Sequence, residues 1–176
     1  MKYHNIFITG STGVVGKPLL RKIVDQGYNV FALSRSQNND HFFSDLGVKK
    51  IEGDLFTETI YDELSDCNID AIFHIAGVNK MCSKNPEGMF KANIEGTKEM
   101  LQLGNRLKIK KFIYTSSAVT LGEEIGTVGN ELSDHRGYFL SKYEESKFLA
   151  EKEAFDYDKD FVFVSVNPSS VQGPGR

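Results

Sequence analysis

Two tyrosine–lysine pairs with the same spacing lie in the stretch GYFLSKYEESKFLAE, residues 137–151. Tyr138 precedes Lys142 by four positions, Tyr143 precedes Lys147 by four, and a serine stands immediately before each lysine. Residues four apart share one face of a helix, so either pair would place a phenol beside an ammonium group. A tyrosine hydroxyl has a pKa of about 10, and a cation within ~4 to 6 Å favours its ionised form. Either pair is therefore a candidate for proton transfer.

The two tyrosines compete for one site, because five residues of helix turn them about 140° from each other. The face of Tyr143 carries Phe139, Leu140, Ser146 and Ala150, whereas the face of Tyr138 is more polar. An apolar face is the one that a helix turns toward a core. We therefore predict that Tyr143 and Lys147 act and that Tyr138 is a packing residue with a solvated hydroxyl. The reversed assignment, Tyr138 with Lys142, is the alternative.

A glycine-rich turn, TGSTGVVG at residues 9–16, follows the first apolar run and precedes a helical pattern. Glycines at 10, 13 and 16 let the backbone approach a ligand closely, and a helix N-terminus attracts phosphate. In the first strand–turn–helix unit of a parallel sheet, this pattern predicts binding of a dinucleotide pyrophosphate. The alternative is an ordinary glycine-rich turn.

Short β-type runs alternate with longer helical patterns along the chain. The predicted strands are 5–9, 29–34, 49–53, 71–75, 111–115 and 161–166, and the predicted helices are 14–26, 58–65, 86–107 and 137–155, with a weaker one at 40–46. This alternation predicts an α/β fold, a Rossmann-type doubly wound parallel sheet with helices on both faces. The 176 residues are interpreted as one nucleotide-binding domain.

Residues after the second and third strands bear on the choice of cofactor. Arg35 stands where an NAD-binding domain usually presents a carboxylate to the ribose, so NADP is favoured over NAD. A solvated surface arginine is the alternative. Asp54 and Leu55 follow the third strand, where they would contact the adenine, although a lone aspartate in this position equally suits a turn.

Together with the glycine turn and the Tyr-x-x-Ser-Lys pair, several short motifs carry a family resemblance. They are GDL at 53–55, HIAG at 74–77, NIEGT at 93–97, YTSSAVTLG at 114–122 and VNPSSVQGPG at 166–175. In this order they resemble the extended short-chain dehydrogenases/reductases, closest to the NAD(P)-dependent epimerase/dehydratase and dihydroflavonol-reductase-like branch. The pattern continues from Lys147 into x-x-Ala-Glu, which again favours Tyr143 over Tyr138.

The resemblance implies roles for particular residues in hydride transfer between nicotinamide and a carbinol carbon. Tyr143 would transfer the proton, Lys147 would lower the pKa of that phenol and hold the ribose, and Ser117 would bond the reacting oxygen. The remaining implied cofactor contacts are Gly10, Ser11, Thr12, Gly13, Val14, Val15 and Gly16 at the pyrophosphate, Ala76 and Gly77 under the nicotinamide ribose, Asn93 as a brace, and Pro168 and Ser169 beside the nicotinamide.

Two departures from the family pattern narrow the function. Ala118 and Val119 follow Ser117 where family dehydratases place an Asp-Glu pair, so reduction, oxidation or epimerisation is favoured over dehydration. The family completes its substrate pocket with a C-terminal part that is absent here. We therefore expect a fragment that binds cofactor with negligible turnover and exposes a sheet edge. The alternatives are a non-catalytic NADP-sensing regulator and an interaction module that has lost the cofactor.

Composition excludes other classes of function. A net charge of −3 gives no general attraction to nucleic acid or anionic membranes, and no signal peptide or membrane-spanning run is found. Cys67 and Cys82 suggest free thiols of a cytoplasmic protein, and Met81 and Cys82 would border the site. His74 is interpreted as a packed histidine and no metal site is predicted. The expected partners are a small-molecule substrate, such as a nucleotide sugar, and a second copy in a homodimer.

Overall fold

The computed structural model describes residues 4–81, 84–122 and 126–173. These residues form a parallel sheet whose strands are β1 (Asn5–Thr9), β2 (Asn29–Ser34), β3 (Lys49–Glu52), β4 (Ala71–His74), β5 (Lys111–Thr115) and β6 (Val162–Val166). The spatial order is β3-β2-β1-β4-β5-β6, so the chain winds outward from β1 in both directions. The predicted doubly wound parallel sheet is confirmed.

Helices cover both faces of this sheet. They are α1 (Gly16–Asp25), α2 (Asp40–Asp45), α3 (Ile60–Leu64), α4 (Pro86–Phe90), α5 (Gly96–Leu107) and α6 (Lys142–Asp156). Side chains alternate across the strands, so Ile6 and Ile8 pack with α1 and α2 while Phe7 packs with α3, α5 and α6. Two apolar cores result, one on each face of the sheet.

The predicted helix 86–107 is confirmed as one continuous helical segment, but its hydrogen bonding changes midway. Residues Lys91–Glu95 between α4 and α5 form a π turn, which sequence reasoning did not predict. Asn93, at the middle of this turn, is buried. Single π turns inside α-helices are frequent at functional sites.

The predicted helix start at residue 137 is wrong, because α6 begins at Lys142. Gly137 has a φ of +85° and interrupts any helix there. Ser141 caps the helix instead, and its hydroxyl accepts a hydrogen bond from the amide of Glu144 at 3.1 Å. Tyr138 therefore precedes the helix, and the comparison of two helical faces has no basis for it.

Strand β6 leaves apolar surface exposed at one edge of the sheet. Val162, Val164 and Val166 point to the same side of the strand and are 58%, 37% and 47% exposed. Their partners on β5 in the parallel register are Lys111, Ile113 and Thr115. The expected exposed sheet edge is confirmed. Across the three described segments, no helix has the length and apolarity required to cross a bilayer.

Candidate functional site

A cavity of about 850 Å³ opens at the carboxyl ends of the parallel strands. It extends across the point between β1 and β4 where the winding direction changes, which is where open α/β sheets bind their ligands. Its walls include nearly all the predicted site residues: Gly10, Thr12, Gly13, Val14, Val15, Gly16, Arg35, Asp54, Leu55, Ala76, Gly77, Asn93, Ser117, Tyr143, Lys147, Pro168 and Ser169. The fold thus brings residues from distant parts of the sequence to one surface.

The glycine-rich turn forms one wall with its backbone. Gly10 has a φ of +73°, and a Cβ there would lie 2.5 Å from the amide nitrogen of Ala76. A Cβ at Gly16 would lie 2.1 Å from the carbonyl oxygen of Gly10. Both positions therefore require glycine. The absence of side chains there lets the main chain of the turn and the start of α1 border the cavity. A turn of this kind at a helix N-terminus fits the pyrophosphate of a dinucleotide.

Ser11 is the one predicted cofactor residue outside the cavity lining. Its side chain is fully buried beneath the turn, and its hydroxyl has no hydrogen-bond partner among the described residues. The side chain of Ser11 thus does not face a ligand in the cavity, and its predicted contact reduces to the main chain of the turn.

The ends of β2 and β3 provide one end of the cavity. Arg35 is exposed at this end. The carboxylate of Asp54 accepts hydrogen bonds from the amide of Phe56 at 2.9 Å and the hydroxyl of Thr57 at 3.4 Å. Asp54 therefore has the turn-forming role that the sequence left open. Leu55 fits beside Gly96, where a Cβ would lie 2.5 Å from its side chain.

Lys147 lies at the opposite end and is 5% exposed. Its Nζ donates hydrogen bonds to the hydroxyl of Tyr114 and to the carbonyl oxygen of Thr115, each at 2.8 Å. Burial lowers the pKa of Lys147 to about 8, and the nearby charge of Glu151 partly opposes this effect. Burial also raises the pKa of Tyr114, so its phenol stays neutral. The buried ammonium is thus held in place by β5.

Tyr143 and Ser117 reach the same end of the cavity as Lys147. Both are largely buried, and both line the cavity. The Ser117 hydroxyl caps a short 3₁₀ turn by accepting from the amide of Val119 at 3.4 Å, which leaves its own proton available to another acceptor. Tyr143, in the first turn of α6, is brought to the cavity by that helix.

The competing pair lies outside the cavity. Tyr138 is 59% exposed, and the ammonium of Lys142 pairs with Glu145 at 2.7 Å on the surface. Neither residue belongs to the lining. The structure therefore places the Tyr143 pair, and not the Tyr138 pair, in the lining of the cavity that also contains Ser117.

Asn93 connects the loop after β4 to α6. Its amide oxygen accepts from the amide of Val78 at 2.8 Å, while its Nδ2 donates to the carbonyl oxygen of Val78 at 3.1 Å and to the hydroxyl of Ser146 at 2.9 Å. The Ser146 hydroxyl in turn donates to the carbonyl oxygen of Tyr143 at 2.8 Å. The bracing position predicted for Asn93 is consistent with this geometry.

His74 is buried within a chain of hydrogen bonds beneath the cavity. Its Nδ1 lies 2.8 Å from the hydroxyl of Thr9, and its Nε2 lies 3.2 Å from that of Thr97. Since the Thr97 hydroxyl donates to the carbonyl oxygen of Asn93 at 2.6 Å, it accepts from His74, which assigns the proton to Nε2. Burial, with a smaller effect of Lys147, lowers the pKa of His74 to about 3. The prediction of a packed histidine is confirmed.

Sequence reasoning missed Tyr114 and Ser146. Phe112 and Tyr114 lie two positions apart and point to the same, core-facing side of β5. A tyrosine at the carboxyl end of a buried strand was the signal that could have identified Tyr114. Met81 borders the cavity as expected, whereas Cys82 lies outside the described residues. Within the described ranges, no group of three or more His, Cys, Asp and Glu side chains is placed to hold a metal ion.

Known proteins resemble this chain in sequence and in fold. A putative dihydroflavonol 4-reductase of Synechocystis sp. is 30% identical over 177 residues, covering 96% of this chain and 49% of that protein. Gre2 from Candida albicans in complex with NADPH superposes with a TM-score of 0.83 at 21% identity, covering 97% of this chain and 59% of that one. MoeE5 in complex with UDP-glucose and NAD gives 0.81 at 23% identity, with coverage of 98% and 56%.

The chain spans about half the length of the curated relatives it matches. Several of these relatives are named reductases and dehydrogenases. Residues 6–176 match the NAD dependent epimerase/dehydratase family, and this match covers nearly the whole sequence. On this evidence the chain belongs to the NAD dependent epimerase/dehydratase family.

Proposed function

We propose that the chain binds NADP(H) and forms the catalytic half of an oxidoreductase that interconverts a carbonyl group and an alcohol. The observation that carries this proposal is the shared cavity, with Arg35 after β2 at one end, the glycine-rich turn after β1 in its wall, and Ser117, Tyr143 and Lys147 in the lining at the end formed by β5 and α6. A dinucleotide laid from one end to the other would bring its nicotinamide beside these three side chains. When bound, the cofactor supplies or accepts the hydride.

Arg35 supports NADP(H) over NAD(H). It is exposed at the cavity end opposite Lys147 and directly follows β2, where a carboxylate usually selects the ribose of NAD. Asp54, the nearest acidic residue in the lining, is engaged by its own turn. A guanidinium is suited to a 2′-phosphate because it is always charged and presents several donors.

The residues at the opposite end divide the chemical work. The Tyr143 hydroxyl would transfer a proton to the carbonyl oxygen, and the Ser117 hydroxyl would donate a hydrogen bond to the same oxygen as charge develops. Lys147 would stabilise the resulting phenolate electrostatically. Its two hydrogen bonds to β5 fix the position of that charge.

The described lining supports an uncharged substrate. Among the described residues that border the cavity, the side chains of acidic or basic type are Arg35, Asp54 and Lys147, and the first two lie beyond the ends of β2 and β3. The lining also includes the apolar side chains of Val78, Met81, Val119 and Val171, together with polar ones such as Asn79, Ser116 and Ser170. The diphosphate of a nucleotide sugar calls for cationic partners. For the part of the pocket that these residues form, reduction of an uncharged carbonyl is therefore better supported than epimerisation of a nucleotide sugar.

The test is carried out on a complete protein that contains this chain, because the chain alone is expected to bind cofactor with negligible turnover. Oxidation of NADPH is followed by the loss of its absorbance, with apolar carbonyls and nucleotide sugars as matched groups of substrates. Apolar ketones and aldehydes should be reduced, and nucleotide sugars should neither be reduced nor epimerised. Epimerisation of a nucleotide sugar would contradict the substrate class. Tight NADPH binding without turnover on any carbonyl would instead favour the regulatory alternative.

A further inference from the structure

A polar network lies on the side of α6 that faces β6, away from the cavity residues already described. One carboxylate oxygen of Glu151 accepts hydrogen bonds from the hydroxyl of Ser165 and from Nδ2 of Asn167, the latter at 3.0 Å. The other carboxylate oxygen lies 3.3 Å from the same nitrogen. Glu151 thus attaches the helix to the end of β6.

Asn167 extends this attachment to the turn that carries Ser117. Its Nδ2 lies 2.9 Å from the hydroxyl of Thr120 and 3.3 Å from the carbonyl oxygen of Ser117. The Thr120 hydroxyl itself donates to that carbonyl oxygen at 2.8 Å. A hydrogen bond from the amide of Ala118 to the carbonyl oxygen of Pro168, at 3.0 Å, joins the same two segments.

Glu151 also lies on the same face of α6 as Tyr143 and Lys147. It follows Lys147 by one turn and Tyr143 by about two turns of α6. The network therefore connects the two separate elements that supply the reactive groups, since Ser117 belongs to the turn after β5 and the tyrosine–lysine pair belongs to α6.

We propose that Glu151 is a positioning residue that sets the geometry between Ser117 and the Tyr143–Lys147 pair, acting through Asn167. This inference rests on the proposed function, because it assigns Glu151 to that same site. A carboxylate is suited to the task, since it accepts several charge-assisted hydrogen bonds at once. A misplacement of about 1 Å between reacting groups costs roughly 100-fold in rate.

The charge of Glu151 gives a second, independent consequence. The titratable groups that act on or contact Lys147 are Tyr114 from β5, His74 from β4 and Glu151 from α6, with Tyr143 one turn away. Of these, Glu151 is the carboxylate, and it raises the pKa of Lys147 against the effect of burial. Removing this charge should lower the pKa of Lys147 further.

The experiment compares Glu151→Gln with Glu153→Gln, which removes the same charge from an exposed position on the same helix, where Glu153 pairs with Lys98 at 3.2 Å. Asn167→Ala and the double variant Glu151→Gln/Asn167→Ala complete a cycle. Three kinds of quantity are measured: kcat and KM for carbonyl reduction by a complete protein that contains this chain, the titration of Lys147 by ¹³C-lysine NMR, and the amide chemical shifts of residues 116–120.

We expect Glu151→Gln and Asn167→Ala each to lower kcat, by up to about 100-fold, with little change in the KM for NADPH. The kcat of the double variant should be about the same as that of the less active single variant, because the two residues act in series. The Lys147 titration should move to lower pH in Glu151→Gln and not in Glu153→Gln. The amides of residues 116–120 should shift in Glu151→Gln and Asn167→Ala and not in Glu153→Gln.

Equal behaviour of Glu151→Gln and Glu153→Gln in kcat, Lys147 titration and amide shifts would overturn the inference. Additive losses in the double variant would show that Glu151 does not act through Asn167. A wild type without carbonyl reduction would contradict the proposed function instead, and the NMR readouts, which need no turnover, would then decide whether Glu151 positions the turn.

Discussion

Burial of Lys147 should make the stability of the protein rise with pH in a way that a variant without this charge does not show. The pKa of Lys147 falls from an ordinary value of 10.5 to about 8 in the folded protein. Because a tenfold change in a protonation equilibrium corresponds to about 1.4 kcal/mol, charging this lysine costs about 3 kcal/mol of folding free energy at neutral pH. Lys147→Met removes the charge, and it also removes the hydrogen bonds to Tyr114 and Thr115 at every pH. The test is therefore how the stability difference between the two proteins changes with pH.

The dependence on pH identifies the cause. Between pH 8 and 10.5 the unfolded wild type binds more protons at this lysine than the folded protein does, so its free energy of unfolding rises with pH. Between about pH 7.5 and 9.5 the stability of the wild type should rise by about 2 kcal/mol relative to Lys147→Met. Below about pH 7 the difference should be constant, since Lys147 is charged in both states.

The assay is urea denaturation followed by circular dichroism at a series of pH values. Lys142→Met is the matched control, because Lys142 lies on the same helix with an exposed ammonium. Its stability difference from the wild type should not vary over the same pH range. Parallel pH curves for Lys147→Met and Lys142→Met would refute the conclusion that Lys147 is buried with its charge.

The remaining predictions concern the cofactor, the glycine turn and His74. In calorimetric titrations the wild type should bind NADPH more tightly than NADH. Arg35→Ala should lose about 1.5 to 3 kcal/mol of binding free energy for NADPH and none for NADH. Equal affinities of the wild type for the two cofactors would refute the role of Arg35. Gly16→Ala should weaken the binding of both cofactors and lower the melting temperature, because the new Cβ would overlap the carbonyl oxygen of Gly10. Cofactor affinities of this variant equal to those of the wild type would contradict the tight turn. Between about pH 7 and 5 the wild type should lose about 2 kcal/mol of stability relative to His74→Asn. The unfolded chain takes up a proton in this range, whereas the folded histidine, with a pKa of about 3, does not. A stability difference that stays constant would show that His74 is not buried as a neutral ring.

Local patterns predicted the sheet correctly, and they placed the glycine-rich turn between β1 and α1 where the structure has it. The glycine turn was recognisable from the spacing of its glycines. The steric limit at Gly16 comes from Gly10 and Ser11 close in sequence, whereas the limit at Gly10 comes from Ala76 in a distant segment. Strand boundaries agree within one residue because apolar runs and turn residues define them locally. The position of Arg35 is fixed by the end of β2 in the same way.

Two kinds of feature were not predictable from the same patterns, namely the residue at which α6 begins and the contacts between distant segments. The start of α6 depends on Gly137 and the Ser141 cap, which interrupt an otherwise helical pattern. The partner of Lys147 is Tyr114, 33 positions away in the sequence, and the packing of α6 against β5 brings them together. The π turn at Asn93 accompanies its contacts with Val78 and Ser146, which belong to other segments.

The most direct test of the site assignment is a comparison of Tyr143→Phe with Tyr138→Phe in steady-state carbonyl reduction by a complete protein that contains this chain. Phenylalanine keeps the ring and removes the hydroxyl, so the comparison separates proton transfer from packing. Tyr143→Phe should lower kcat by ~10²- to 10⁴-fold while NADPH affinity stays close to that of the wild type. Tyr138→Phe should remain active, because that ring is exposed outside the cavity. Full activity in Tyr143→Phe, or its loss in Tyr138→Phe, would contradict the account.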